Sequence, residues 1–246
     1  MTGRSAFAAL ALAFVLPGCA TVPAATESAG AVAQTKPAHV EQRRPNIIFI
    51  MSDDHAQTAI SAYGTEIGRL APTPNIDRIA ANGALFENSY VTNSLCGPAR
   101  ATMLTGQFSH MHGFTRNGQK FDNSQWNWVR ELGASGYDTA LFGKWHLNYS
   151  PEGAGIDDWA VLDDQGKYYN PDIITPDGRE VVEGYATDLV TDRSLAWLDA
   201  RAGSDKPFAL LIHHKAPHRN FMPALRHVQK YIGTEFPVPT NYFDHY

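Results

Sequence analysis

Beyond residue 43 the chain alternates short apolar runs with segments whose apolar positions recur at helical spacing. Asn46-Ile47-Ile48-Phe49-Ile50-Met51 is a continuous apolar run, the pattern of a strand buried on both faces. Residues 74–82 carry Ile76, Ile79 and Ala80 at helical spacing and stop at Gly83, which predicts a short helix with a glycine end. A short strand is expected over residues 84–91. Pro98 opens a helix through about Leu104, because a first turn leaves the N–H that proline lacks unpaired anyway. Residues 123–134 predict another helix, and residues 137–142 the strand after it. Residues 185–201 form the longest amphipathic segment, with Leu189, Leu195, Trp197 and Leu198 expected on its buried side. Phe208-Ala209-Leu210-Leu211-Ile212 predicts a second fully apolar strand. Strands alternating with helices argue for an α/β fold, a largely parallel sheet flanked by helices. No internal repeat is present.

The first 43 residues break this pattern. Residues 1–18 hold one basic residue, Arg4, and then an apolar run over 6–16. That run is too short for a membrane-spanning helix, which needs roughly 20 apolar residues, and suits a signal peptide. It ends in Leu16-Pro17-Gly18-Cys19, the small-residue-then-cysteine arrangement of a bacterial lipoprotein cleavage site. On that reading lipid on Cys19 anchors an exported protein to a membrane, facing the periplasm or the cell surface. The alternative is an ordinary signal cut near Ala20 or Ala25 and a soluble periplasmic protein. Residues 19–43, rich in Ala, Thr, Ser and Pro, suit a flexible tether, and residues 44–246 are left as the folded part. The whole sequence's 43% hydrophobic content fits a packed core, and its formal charge of −5 without a basic run gives no footprint for nucleic acid. The two cysteines, Cys19 and Cys96, stand in such different contexts that a disulfide framework explains neither.

Polar clusters follow three of the expected strands directly: Ser52-Asp53-Asp54-His55, Gly143-Lys144-Trp145-His146, and His213-His214-Lys215-Ala216-Pro217-His218. In open α/β sheets ligands bind beyond the carboxyl ends of the strands, so the three clusters are expected to face one crevice. Adjacent Asp53 and Asp54 leaving an apolar strand are costly unless paired or metal-bound, and oxygen donors favour a hard divalent cation. Cys96 stands at a helix start, with Arg100 one turn on. That combination suits an anion, and it would lower a thiol pKa, so a plain thiolate nucleophile is one possibility.

Cys96-x-Pro98-x-Arg100, continuing to Leu104-Thr105-Gly106, resembles the sequence by which sulfatases are recognised for conversion of cysteine to formylglycine. Gly136-Tyr137-Asp138-Thr139 with Gly143-Lys144-Trp145-His146 is similar to that family's second signature. Arg44 to Asp54, Thr73 to Asp77, and Ala216-Pro217-His218 resemble further family segments in the expected order. The resemblance implies an alkaline-phosphatase-like fold and hydrolysis of sulfate esters on a sulfated glycan or an aryl sulfate. It implies a formylglycine-generating enzyme that oxidises Cys96, whose hydrated aldehyde attacks sulfur, and a Ca²⁺ (or Mg²⁺) held by Asp53, Asp54 and the group at 96. Arg100 and Lys144 would offset charge, His146 would act as base, and His218 would assist the leaving oxygen. The run from His214 to Arg219 looks closer to glycan-acting sulfatases, including N-acetylglucosamine-6-sulfate types. Phosphonate or phosphodiester hydrolysis, and a non-catalytic lipoprotein that binds sulfated glycans, are the alternatives. Family members are longer, and no candidate for their later Asp-Asn pair or for their further sulfate-binding lysine is found after His218, so the fold is expected to be incomplete at the C-terminus, with an exposed edge strand.

Overall fold

A computed structural model describes residues 44–239 and 241–244; the signal and tether expected over residues 1–43 lie outside these. Six strands form one sheet in the order β1-β6-β2-β3-β4-β5. These are β1 (Ile47–Asp53), β2 (Asp138–Lys144), β3 (Asp158–Leu162), β4 (Asp172–Thr175), β5 (Gly178–Val181) and β6 (Phe208–Pro217). β1, β6, β2 and β3 run parallel, while β4 and β5 close the far edge as an antiparallel hairpin. The helices are α1 (Glu66–Leu70), α2 (Pro74–Ala81), α3 (Cys96–Thr105), α4 (Ser109–His112), α5 (Trp128–Ala134) and α6 (Ala186–Asp199).

Alternation along the central strands sends side chains into two cores. Leu141, Leu211 and Val161 meet Ala101 and Leu104 of α3 and Val129 of α5 on one face. Ala140, Phe142, Leu210 and Ala160 meet Ala186, Val190 and Trp197 of α6 on the other. The expected α/β architecture, a largely parallel sheet between helices, is therefore present.

Several local expectations are corrected. β1 is an edge strand rather than one buried on both faces: Ile48 and Ile50 are exposed, because α6 covers β6 and β2 but leaves these neighbours open. Residues 84–91 form no strand; they are exposed, and no partner strand among the described residues offers a ladder for their backbone. α2 ends on Asn82 as its cap, and Gly83 does not adopt the left-handed backbone of a glycine terminator. α5 starts later than residue 123 because the Asn127 side chain accepts the Arg130 N–H at 2.9 Å, capping the helix there. In α6 the buried positions are Ala186, Val190, Ser194 and Trp197, a spacing that turns Leu195 out to solvent.

Candidate active site

Three parallel strands that are neighbours in the sheet end on the same side, and each ends in a polar cluster. β1 ends at Asp53, β2 at Lys144, and His218 follows β6 directly. Immediately past two of these ends the backbone turns left-handed: Asp54 has φ 56° and His146 has φ 58°. Non-glycine residues rarely adopt that conformation, so both positions are locally constrained. β2 approaches β6 closely at Gly143, where φ is 109° and an added Cβ would lie 2.0 Å from the His213 carbonyl oxygen.

The fourth contributor is α3. Leu95 occupies the N-cap and Cys96 the first helical position. The expectation of a backbone anion site here is weakened, because Pro98 has no N–H and the Gly97 N–H donates to Asn117 Oδ1 at 2.9 Å. Gly97 also packs where no side chain fits, since a Cβ would meet the Phe114 ring at 2.5 Å and the His146 carbonyl oxygen at 3.1 Å. The positive charge at the site comes instead from two side chains. Arg100, buried, donates to the Lys144 carbonyl oxygen and lies 3.6 Å from Asp53 Oδ2. Lys144, fully buried, donates to Asp53 Oδ2 and to Gln165 Oε1, the latter at 2.6 Å.

Ligand atoms of Asp53, Cys96 and His218 come within 4.8 Å of one another. His218 Nε2 lies 3.5 Å from Asp54 Oδ2, and His218 Nδ1 donates to the Arg219 carbonyl oxygen at 2.7 Å. His146 Nε2 lies 3.3 Å from Asp164 Oδ1 and 3.2 Å from Gln165 Nε2, while its Nδ1 is buried without a partner. A hollow of about 390 Å³ opens onto Cys96, with Asp53, Asp54 and Arg100 in its wall. A larger hollow of about 760 Å³ lies between the β4–β5 hairpin and α6, lined by Arg179, Arg193 and Trp197, and holds none of these groups.

The electrostatics correct one expectation. Burial pushes the Cys96 thiol up, Lys144 and Arg100 pull it back in part, and Asp53 and Asp54 push it up again. The net is a thiol above its ordinary range, so a plain thiolate nucleophile is disfavoured. Burial also raises Asp53, but Arg100 and Lys144 outweigh it and hold the carboxyl below the usual range. His146 is lowered, by burial first and Lys144 next, with Asp164 partly opposing. His213 lies well below the ordinary imidazole, from complete burial and the adjoining Arg100.

Of the residues singled out in the sequence, Asp53, Asp54, Cys96 and Arg100 line the smaller hollow, Lys144 reaches Asp53, His218 reaches Asp54, and His146 is joined to Lys144 through Gln165. Sequence reasoning missed Gln165, which joins Lys144 to His146, and gave no role to His213, whose Nδ1 lies 3.3 Å from both Arg100 Nη1 and the Lys144 carbonyl oxygen. Gln165 follows β3, a strand not expected from the sequence, and that hid its position.

The sulfatase family model matches residues 45–245. An N-acetylglucosamine-6-O-sulfatase from Bacteroides thetaiotaomicron is 49% identical over 214 residues, 85% of this chain and 37% of the relative. The human N-acetylglucosamine-6-sulfatase is 27% identical, over 82% of this chain and 40% of the relative. A solved structure in complex with its substrate D-glucosamine-2-N,6-O-disulfate superposes with a TM-score of 0.78 at 48% identity, over 82% of this chain and 40% of the other. The chain thus spans about two-fifths of the length of these relatives. With a family match along nearly all of the described residues and these signature groups gathered at one sheet edge, the chain belongs to the sulfatase family.

Proposed function

We propose that this protein hydrolyses sulfate esters, with Cys96 as the precursor of its nucleophile. The observation that carries this reading is the gathering of Asp53, Cys96, Arg100, Lys144 and His218 beyond three parallel strands, with His146 joined to Lys144 through Gln165. A thiol held above its ordinary range is a poor nucleophile as it stands, which favours chemistry on an oxidised Cys96. A formylglycine-generating enzyme would supply that oxidation. The hydrated aldehyde would attack sulfur through one hydroxyl and expel the alcohol of the ester. Loss of the second hydroxyl's proton would then release sulfate and restore the aldehyde.

The donor set fits a hard cation as part of a shell. Asp53 offers a carboxylate oxygen close to Cys96 and His218, and Asp54 stands with it in the wall of the hollow. A bound Ca²⁺, or Mg²⁺, would supply positive charge opposite the sulfate oxygens. Arg100 and Lys144, desolvated and fixed by the Lys144 carbonyl and Gln165, would hold the group at 96 and offset developing negative charge. His146, neutral under its own environment, would accept the proton from the second hydroxyl. His218 would donate to the leaving oxygen.

The substrate class we infer is a glycan bearing 6-O-sulfated glucosamine, supported by relatives at 49% and 48% identity. The test has two parts. Mass spectrometry of the peptide holding residue 96 should find the aldehyde after expression with the modifying enzyme. Sulfate release from a 6-O-sulfated glucosamine should then exceed release from an aryl sulfate, and Cys96→Ala should abolish it. Preferred cleavage of a phosphonate ester would overturn the reading.

A further inference from the structure

Lys215 stands out among the cations near the crevice. It lies on β6, is only 6% exposed, and makes a single long hydrogen bond, to the Arg219 carbonyl oxygen at 3.5 Å. Its ammonium lies 5.0 Å from the centre of the Tyr168 ring. Among the described residues it forms no ion pair, whereas the other buried cations of the site, Arg100 and Lys144, both reach Asp53. Burial first and Lys144 next disfavour its charge, and Asp53, Cys96 and Asp164 favour it only from a distance. A desolvated ammonium without a counterion is unfavourable by more than a cation–π contact at this separation offsets.

The surroundings indicate where a counterion would come from. Lys215 lines a hollow of about 240 Å³ with Tyr168, Tyr169, Asn220 and Met222. Lys167, at the same hollow, is already paired with Asp172 at 2.7 Å, so its charge is engaged elsewhere. The hollow adjoins the proposed catalytic groups, because the Tyr168 hydroxyl donates to the His218 carbonyl oxygen. It is separate from the hollow that opens onto Cys96, whose wall does not include Lys215. Aromatic walls, an exposed amide at Asn220 and one unpaired cation suit an anionic sugar.

We propose that Lys215 binds a second anionic substituent of the substrate, a sulfo or carboxylate group beside the scissile sulfate ester, so that the protein prefers multiply charged glycans. The proposal rests on the sulfate-ester reading, and binding and turnover separate the two. Protein carrying Cys96→Ser would be titrated calorimetrically with glucosamine sulfated at O6 alone and with glucosamine sulfated at both N and O6. The disulfated ligand should bind at least about tenfold more tightly. Adding Lys215→Gln should remove that difference while leaving the monosulfated Kd within about twofold. Equal weakening of both ligands would assign Lys215 to the scissile sulfate and overturn the proposal, as would no change in either. A thermal melt of Lys215→Met serves as the folding control: loss of an unpaired ammonium should leave Tm unchanged or raised, and a fall would mark a structural lysine and overturn the proposal. If Lys215-dependent binding holds while unmutated protein releases sulfate from neither ester, the sulfatase reading fails and the anion subsite stands.

Discussion

At the scale of single residues, the site is a set of charges that buffer one another. Asp53 carries two cations, Arg100 and Lys144, and their combined pull outweighs the burial that raises its carboxyl. His146 faces the opposite balance: burial and Lys144 disfavour its imidazolium, and the carboxylate of Asp164 at 3.3 Å restores part of it. As a base His146 must be neutral, so the acid limb of kcat/KM should lie below pH 6.5, the ordinary imidazole value. Asp164→Asn removes a charge that favours the protonated form, so the limb should move to lower pH. The shift should be small, because Asp164 is 70% exposed and screened by solvent. A limb that moves upward would assign the profile to another group. Asp53, Cys96, Arg100, Lys144 and His146 were legible in the sequence because strand ends and a helix start place them. Gln165 and the raised thiol were not, because both depend on neighbours distant in sequence.

At the scale of elements, function follows from strands that stop together. β1, β6 and β2 are adjacent and parallel, so their carboxyl ends bring residues 53, 144 and 218 to one edge. The spacing of β2 and β6 depends on Gly143. Its φ of 109° suits glycine alone, and an added Cβ would lie 2.0 Å from the backbone oxygen of His213. Gly143→Ala should therefore destabilise the fold by about 3 kcal/mol or more and displace Lys144 from Asp53. A denaturant titration checks this, and a loss under about 1 kcal/mol would show that the strands separate without strain. The hairpin at the far edge illustrates a signal present but unread: Pro176-Asp177-Gly178 is strong turn chemistry between β4 and β5. The strand expected over residues 84–91 illustrates the converse, a local preference that found no ladder.

At the scale of the whole molecule, buried histidine links stability to pH. His213 is buried and held well below its ordinary pKa, first by burial and then by Arg100. The unfolded chain takes up a proton near the ordinary value while the folded chain resists it. The unfolded state thus binds more protons as pH falls, so this contribution is fully present above about pH 6.5 and declines below it, by up to about 1.4 kcal/mol per pH unit. Thermal melts between pH 8 and 5 should show that decline, and His213→Gln should flatten it; an unchanged slope would assign the effect to other groups. The sequence by itself determined the central strands, the start of α3, the long helix α6 and the polar clusters that follow the strands, because periodicity and turn chemistry are properties of neighbouring residues. Only the tertiary structure decided that β1 lies at an edge with Ile48 and Ile50 exposed, that Lys144 and Arg100 share one carboxylate, and that Lys215 is buried without one among the described residues. Those facts depend on which strands become neighbours, and burial and charge pairing are settled across tens of residues rather than along them.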